Sequence, residues 1–197
     1  MGTARATNSR KAGRPRDDTV ESAVLEAALT ILATEGVAGM SMNSVAAAAG
    51  VSKVTMYSRW ASKSDLIGAA LGYLQLGHIP ETTGDVRADL VGMLQAMRRQ
   101  YDAVGGMSIL GSCLTDEPRS GKLLEIVRKR TVMPRRAAFL DVIHAGIASG
   151  YLRNDVNPDS AVSALIGLFY ADYIAGVNMP DDWDESAVDL VLRGLIA

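Results

Sequence analysis

The chain is poor in the residues that build covalent or metal-held scaffolds: one cysteine, two histidines and 5% aromatics in 197 residues. A single thiol, Cys113, closes no internal disulfide, and His78 and His144 cannot supply a zinc cluster at the usual ligand spacings. Neither a metal nor a cofactor is expected, and one free thiol fits a reducing compartment, the cytoplasm. Long hydrophobic runs are missing too. The longest clearly apolar one, residues 161–171, holds Ser163 and is followed by Asp172, too short to cross a bilayer, so no membrane partner is expected. The basic N-terminus leads into no apolar h-region, which argues against a secretion signal. Absent as well are a Gly-rich phosphate loop, a recognisable Ser-His-Asp arrangement and a carboxylate pair beside a histidine, so an enzyme is not the expected reading.

What is present asks for a folded core. Hydrophobic residues make up 48% of the chain and charged ones 21%, which excludes a disordered or collagen-like polymer. The net charge of -2 hides an uneven distribution. Arg5, Arg10, Lys11, Arg14 and Arg16 stand in residues 1–16 with no acid among them, whereas residues 76–197 carry twelve basic and sixteen acidic residues. A basic arm on an acidic body is the asymmetry of a protein that meets a polyanion at one end.

Helical periodicity dominates. Val20, Val24, Ala27, Ala28, Ile31 and Leu32 recur at helix spacing behind an Asp17/Asp18/Thr19 capping cluster, and Gly36 supplies a stop. Ser41 caps a short helix to Ala49, Gly50 allows a tight turn, and Ser52 caps a second short helix to Arg59. Two short helices across one glycine spell helix-turn-helix. A fourth helix is expected over 64–76, capped by Ser62 or Ser64. After the break at Pro80 and Gly84, helices are expected over 85–103, 107–114, 119–149, 160–176 and 184–196, the third kinked or split by Pro134. The expected fold is all-α, with about nine helices: a flexible arm over 1–16, a three-helix helix-turn-helix domain over 17–63, and a larger helical domain over 64–197.

On the helix from Ser52, Met56 and Trp60 share an inward face. The opposite side carries Val54, Thr55, Tyr57 and Ser58, with Lys53 at the start and Lys63 past the end. Methyls can meet the thymine methyl, hydroxyls can reach phosphates or base edges, and lysines neutralise phosphates, which suits a major groove. Small residues at Ala46 and Ala49 let the two helices cross closely, and the arm adds five cations. Double-stranded DNA is the partner this combination points to.

Gly13-Arg14-Pro15-Arg16, then 41–50, then the ungapped run from Gly50 to Leu66 (Gly-Val-Ser, Thr-x-Tyr, an aromatic at Trp60, Lys63 and Leu66) resemble the DNA-binding domain of tetracycline-repressor (TetR) family regulators over about residues 13–75. Trp60 stands where many members carry Phe. The resemblance implies that Lys53, Val54 and Thr55 approach bases, that Tyr57 and Lys63 grip phosphates, and that Ser41 and Asn43 touch DNA from the preceding helix; Ser52 and Ser58 complete the candidate face. Gly-Arg-Pro-Arg is similar to an AT-hook core, so Arg14 and Arg16 either enter a narrow minor groove or release counterions from a solvated tail.

Residues 118–176, with Pro134-Arg135-Arg136 inside, resemble one group of TetR ligand-binding domains. That resemblance implies a homodimer through the last two long helices and a small-molecule inducer. The candidate interface is Ala164, Leu165, Leu168, Phe169, Val188 and Leu192, with Gly167, Ala171 and Ala175 allowing close approach; the alternative is that this helix is the buried core of one chain. Met93, Met97, Met107, Leu110, Cys113, Phe139 and Ile143 are the candidate pocket lining. Few aromatics and no cluster of charges near them suggest an uncharged, apolar inducer.

Overall fold

The computed structural model describes residues 15–75 and 79–196. α1 (Pro15–Gly39) starts two residues before the capping cluster, with Pro15 at the first position, where its missing N–H costs nothing. Its geometry breaks at Gly36 (φ 68°, ψ -177°), the expected stop. By length and composition Asp18–Gly39 would pass for a membrane span, but Val24, Leu25, Ala28, Leu29, Ile31 and Leu32 are the residues that make it apolar, and all are buried in the protein core.

α2 (Met42–Ala48) opens with a reciprocal capping box between Ser41 and Ser44. Gly50, at φ 67°, makes the turn, and α3 (Lys53–Arg59) begins where Ser52 Oγ accepts from the Thr55 N–H at 3.1 Å. α4 (Lys63–Gln75) follows, its first turn fixed by Ser62. The core of these four helices holds Val45, Ala46, Met56, Trp60, Leu66, Ile67 and Ala70, and it continues without a break into Ile109, Cys113, Leu123 and Val127 from beyond residue 80. The residue 63/64 boundary is therefore no gap in the packing: α4 belongs to both halves.

The remainder is α5 (Val86–Val104), α6 (Gly106–Ser120), α7 (Lys122–Val127), a π-helical turn (Arg128–Val132), α8 (Met133–Ala148), α9 (Pro158–Ala175) and α10 (Trp183–Leu192). α7, the π turn and α8 run on continuously, so the described residues form nine helical rods and no strand beyond one isolated bridge, Leu152 to Ile196. The widened turn lies immediately before Pro134, where a normal turn would press the ring against the Arg130 carbonyl. Other boundaries differ from the periodic reading. α6 continues past Leu114 through Pro118 to Ser120, so the helix expected from 119 starts at Lys122, after Gly121 at φ 62°; α9 starts at Pro158 because Asn157 caps it, and α10 stops at Leu192 because Leu195 and Ile196 turn to meet Leu152 and Arg153.

A second core joins α5, α8, α9 and α10 around Leu90, Leu94, Met97, Phe139, Ile143, Leu165, Phe169 and Val188. Arg98 of α5 reaches the fully buried Asp184 of α10 at 3.2 Å, and Arg87 pairs with Asp189 at 2.6 Å. These pairs lock the last helix against α5.

Candidate nucleic-acid interface and helical-body cavity

α3 is held from inside. Met56 is fully buried and Trp60 nearly so, and Val51 N–H donates to the Ala46 carbonyl at 3.0 Å across the Gly50 turn. Arg59 pairs with Glu21 of α1 at 3.1 Å, a brace that periodicity alone did not reveal. With that side anchored, Val54 and Tyr57, three residues apart on one face, stand 80% and 54% exposed. Lys53 and Ser58 are exposed beside them, as are Ser41 and Asn43 at the start of α2. Thr55 is half-buried, its hydroxyl 2.9 Å from that of Ser52. Ser41, Asn43, Ser52, Lys53, Val54, Tyr57 and Ser58 are thus all exposed on the helix pair.

Lys63 is placed otherwise. Its ammonium donates to the Val37 and Met40 carbonyls at 2.9 and 3.2 Å, carbonyls at the C-terminal end of α1, where helical N–H partners run out. In this structure it caps the end of α1, a role the motif did not announce. Arg14 lies outside the described residues, and for Arg16 only the backbone, inside α1, is described.

The expected pocket residues divide. Leu110 lines a cavity of about 30 Å³ with Leu71, Gln100, Tyr101, Gly106, Ile109, Val127, Thr131 and Arg135. Met93, Met97 and Phe139 line a smaller one of about 10 Å³, which shares Gln100 and Arg135 with the first. Met107 packs at the edge of the second core, Ile143 lies inside it, and Cys113 is buried in the first core; none of the three lines either cavity. One charged side chain lines both cavities. Arg135 is only 6% exposed, its guanidinium 5.3 Å from the centre of the Tyr101 ring and donating to Gln100 Oε1. Its neighbour Arg136 turns outward to Asp159 and Ser163. Tyr101 and Tyr170 share a 2.6 Å hydroxyl contact, and burial, with Tyr101 close by, pushes the Tyr170 phenol well above its ordinary range.

The expected dimer face also divides. Leu165, Phe169 and Val188 are fully buried and Leu192 almost so, all within the chain's own second core, because the wide side of α9 faces α5 and α8. These four are corrected from interface to core. Ala164 is exposed and Leu168 half-buried, and with Gly167, Ala171 and Leu190 they line a shallow groove along α9 and α10. Ile174, 78% exposed, extends the apolar side of α9.

A helix pair with a sharp glycine turn, an anchored second helix and an outward polar and methyl-bearing face, carried on a larger helical body, defines a helix-turn-helix transcriptional regulator. Residues 24–70 match the family described as "Bacterial regulatory proteins, tetR family", and residues 80–191 match "Tetracyclin repressor-like, C-terminal domain". The chain belongs to the TetR family of transcriptional regulators. It is 29% identical over 192 residues to the HTH-type transcriptional regulator YdeS of Bacillus subtilis (strain 168), covering 95% of each chain. Over 91 residues, 45% of this chain and 48% of the other, it is 40% identical to the DNA-binding transcriptional repressor TetR of Mycobacteroides abscessus. The crystal structure of the TetR family regulator SCO0332 superposes with a TM-score of 0.68 at 28% identity, over 90% of this chain and 99% of that one.

Proposed function

We propose that this regulator is a cytoplasmic homodimeric repressor that reads a palindromic operator with α3 and is released from it by a small-molecule effector. The observation that carries the DNA reading is the division of α3: Met56 and Trp60 are buried while Lys53, Val54 and Tyr57 face solvent. Lys53 supplies phosphate neutralisation, and the Val54 and Thr55 methyls supply contact with thymine. Two copies joined along Ala164, Gly167, Leu168, Ala171 and Leu190 would present two such helices, and an operator with half-sites about 34–36 Å apart would match a two-fold pair.

Effector control has a physical route. α4 contributes Leu71 to the larger cavity, and at its other end Lys63 holds the last turn of α1. α6 contributes Gly106, Ile109 and Leu110, and it meets α1 where a side chain at Gly36 would lie 2.9 Å from Ser112 Oγ. A ligand that favours a different seating of α4 and α6 shifts the α3 spacing only by its differential affinity for the two states.

Footprinting of the purified protein on the DNA flanking its own gene, at about 0.15 M salt with competitor DNA, tests this. A protected palindrome is expected. Binding at one half-site by a single chain overturns the dimer, and protection that survives Lys53→Ala with Tyr57→Ala overturns the α3 assignment.

A further inference from the structure

Arg135 is a buried cation whose described partners are all neutral. Its guanidinium donates to Gln100 Oε1, lies over the Tyr101 ring and comes within 3.5 Å of the Tyr101 hydroxyl. Among the described residues no carboxylate lies within ion-pair distance of it. A guanidinium withdrawn from water is costly to leave without an anion, and it carries five N–H donors. One turn earlier in the same rod, Thr131 is 8% exposed, and its hydroxyl has no hydrogen-bond partner among the described residues. Both residues line the larger cavity, whose remaining walls include Leu71, Ile109, Leu110 and Val127. The lining therefore combines a charged fork and a spare hydroxyl with an apolar wall.

We propose that the cavity takes a small organic carboxylate with an apolar body. The carboxylate accepts from Arg135 and from Thr131 Oγ1, and the apolar body lies against Leu71, Ile109, Leu110 and Val127. This deepens the effector reading above and rests on it. A planar monoanion matches a single guanidinium in charge and geometry. A cationic or uncharged ligand would leave Arg135 as it is. At about 30 Å³ the larger cavity is small, but Arg135 and Gln100 also wall the second one, so the pair forms a partition. A carboxylate outcompetes the neutral Gln100 carbonyl for the guanidinium, and parting the pair joins the two spaces. Met93 and Met97 on the far side are the adaptable residues that such joining needs.

The test is thermal unfolding of the full wild-type chain with matched acid and amide probes, benzoate against benzamide and hexanoate against hexanamide, at constant ionic strength. An acid at ten times its Kd raises Tm by about 3 °C. The amide is expected to need at least tenfold more for the same rise. Arg135→Met abolishes that preference, Arg135→Lys restores part of it, and Thr131→Val weakens acid binding severalfold. The proposal is overturned if acid and amide stabilise equally, if neither acid shifts Tm at about 10 mM, or if Arg135→Met keeps the preference. The acid–amide comparison uses the wild-type chain alone and holds even where a variant folds poorly. Failure of the footprint would overturn the DNA reading and leave these results standing; equal acid and amide binding with an intact footprint would overturn the carboxylate alone.

Discussion

In the N-terminal head, Met56 and Trp60 are buried so that Val54, Tyr57 and Lys53 can stand in solvent. In the C-terminal body the order is reversed: Arg135, Gln100 and Thr131, its most chemically distinctive residues, are themselves buried, while the exposed side of α9 is small and apolar. The head's function needs a rigid surface offered to a large, charged partner. The function proposed for the body needs an interior that something small can enter and a face that a second copy can cover. The same helical material serves both because packing decides which side of each helix is hidden.

The two sides of α9 give the largest contrast to break. Phe169→Ala, inside the second core, is expected to cost about 3–5 kcal/mol in urea unfolding. Ala164→Glu, a few residues earlier on the open side, should leave helicity unchanged and bring the mass in sedimentation down to one chain. If Phe169→Ala dissociates the protein without unfolding it, the inward assignment of that face is wrong.

Next in size is the head's surface. Lys53→Ala with Tyr57→Ala should lower specific operator affinity at least about a hundredfold, since it removes one phosphate cation and one large contact residue. Unfolding free energy should move by no more than about 0.5 kcal/mol, because neither side chain is buried. A comparable loss of stability would mean that these residues hold the head together.

Lys63 sharpens the comparison from the other side, because its motif position and its contacts disagree. If it caps α1, Lys63→Met costs about 1–3 kcal/mol of stability by stranding the Val37 and Met40 carbonyls. If it grips a phosphate, stability is unchanged and the slope of log affinity against log salt falls by about 1. The bonds to α1 favour the first outcome.

These cases show why the head was legible in the sequence and the body less so. Ser41, Ser52 and Gly50 act through their own neighbours, and seven residues of α3 are too few for the 3.6 period to drift, so the inward pair followed from spacing alone. Lys63 escaped because the acceptors it meets lie where α1 ends, 23 to 26 positions away. In the body, the π turn at Arg128–Val132 inserts an extra residue into one turn, which rotates everything after it by about 100° relative to a continuous helix. That decides which of Arg135 and Arg136 points inward, and no local pattern announces it. On α9, apolar residues lie on nearly every side; Leu165 and Phe169 differ from Ala164 and Leu168 only in which neighbour covers them, and periodicity carries no information about neighbours.

The smallest effect concerns the join between the halves. Asp89 of α5 is 7% exposed, and burial alone would raise its carboxyl pKa. The Thr83 N–H and hydroxyl, each at 2.8 Å, and the Gly84 N–H at 3.1 Å outweigh that and hold it below its ordinary value. Because the folded pKa is the lower one, the unfolded chain takes up this proton first as pH falls. Asp89 therefore contributes full stability above its unfolded value of about 3.9, and loses it as pH drops from there through the folded pKa. Asp89→Asn should flatten that part of the stability–pH curve and cost about 1–2 kcal/mol at pH 7, because an amide accepts these three donors less strongly than a carboxylate. Urea midpoints at pH 7, 5, 4 and 3 for both proteins check it: a gap that narrows toward pH 3 supports the loop clasp, and a gap that stays constant means the carboxylate's charge plays no part in holding residues 83 and 84 against α5.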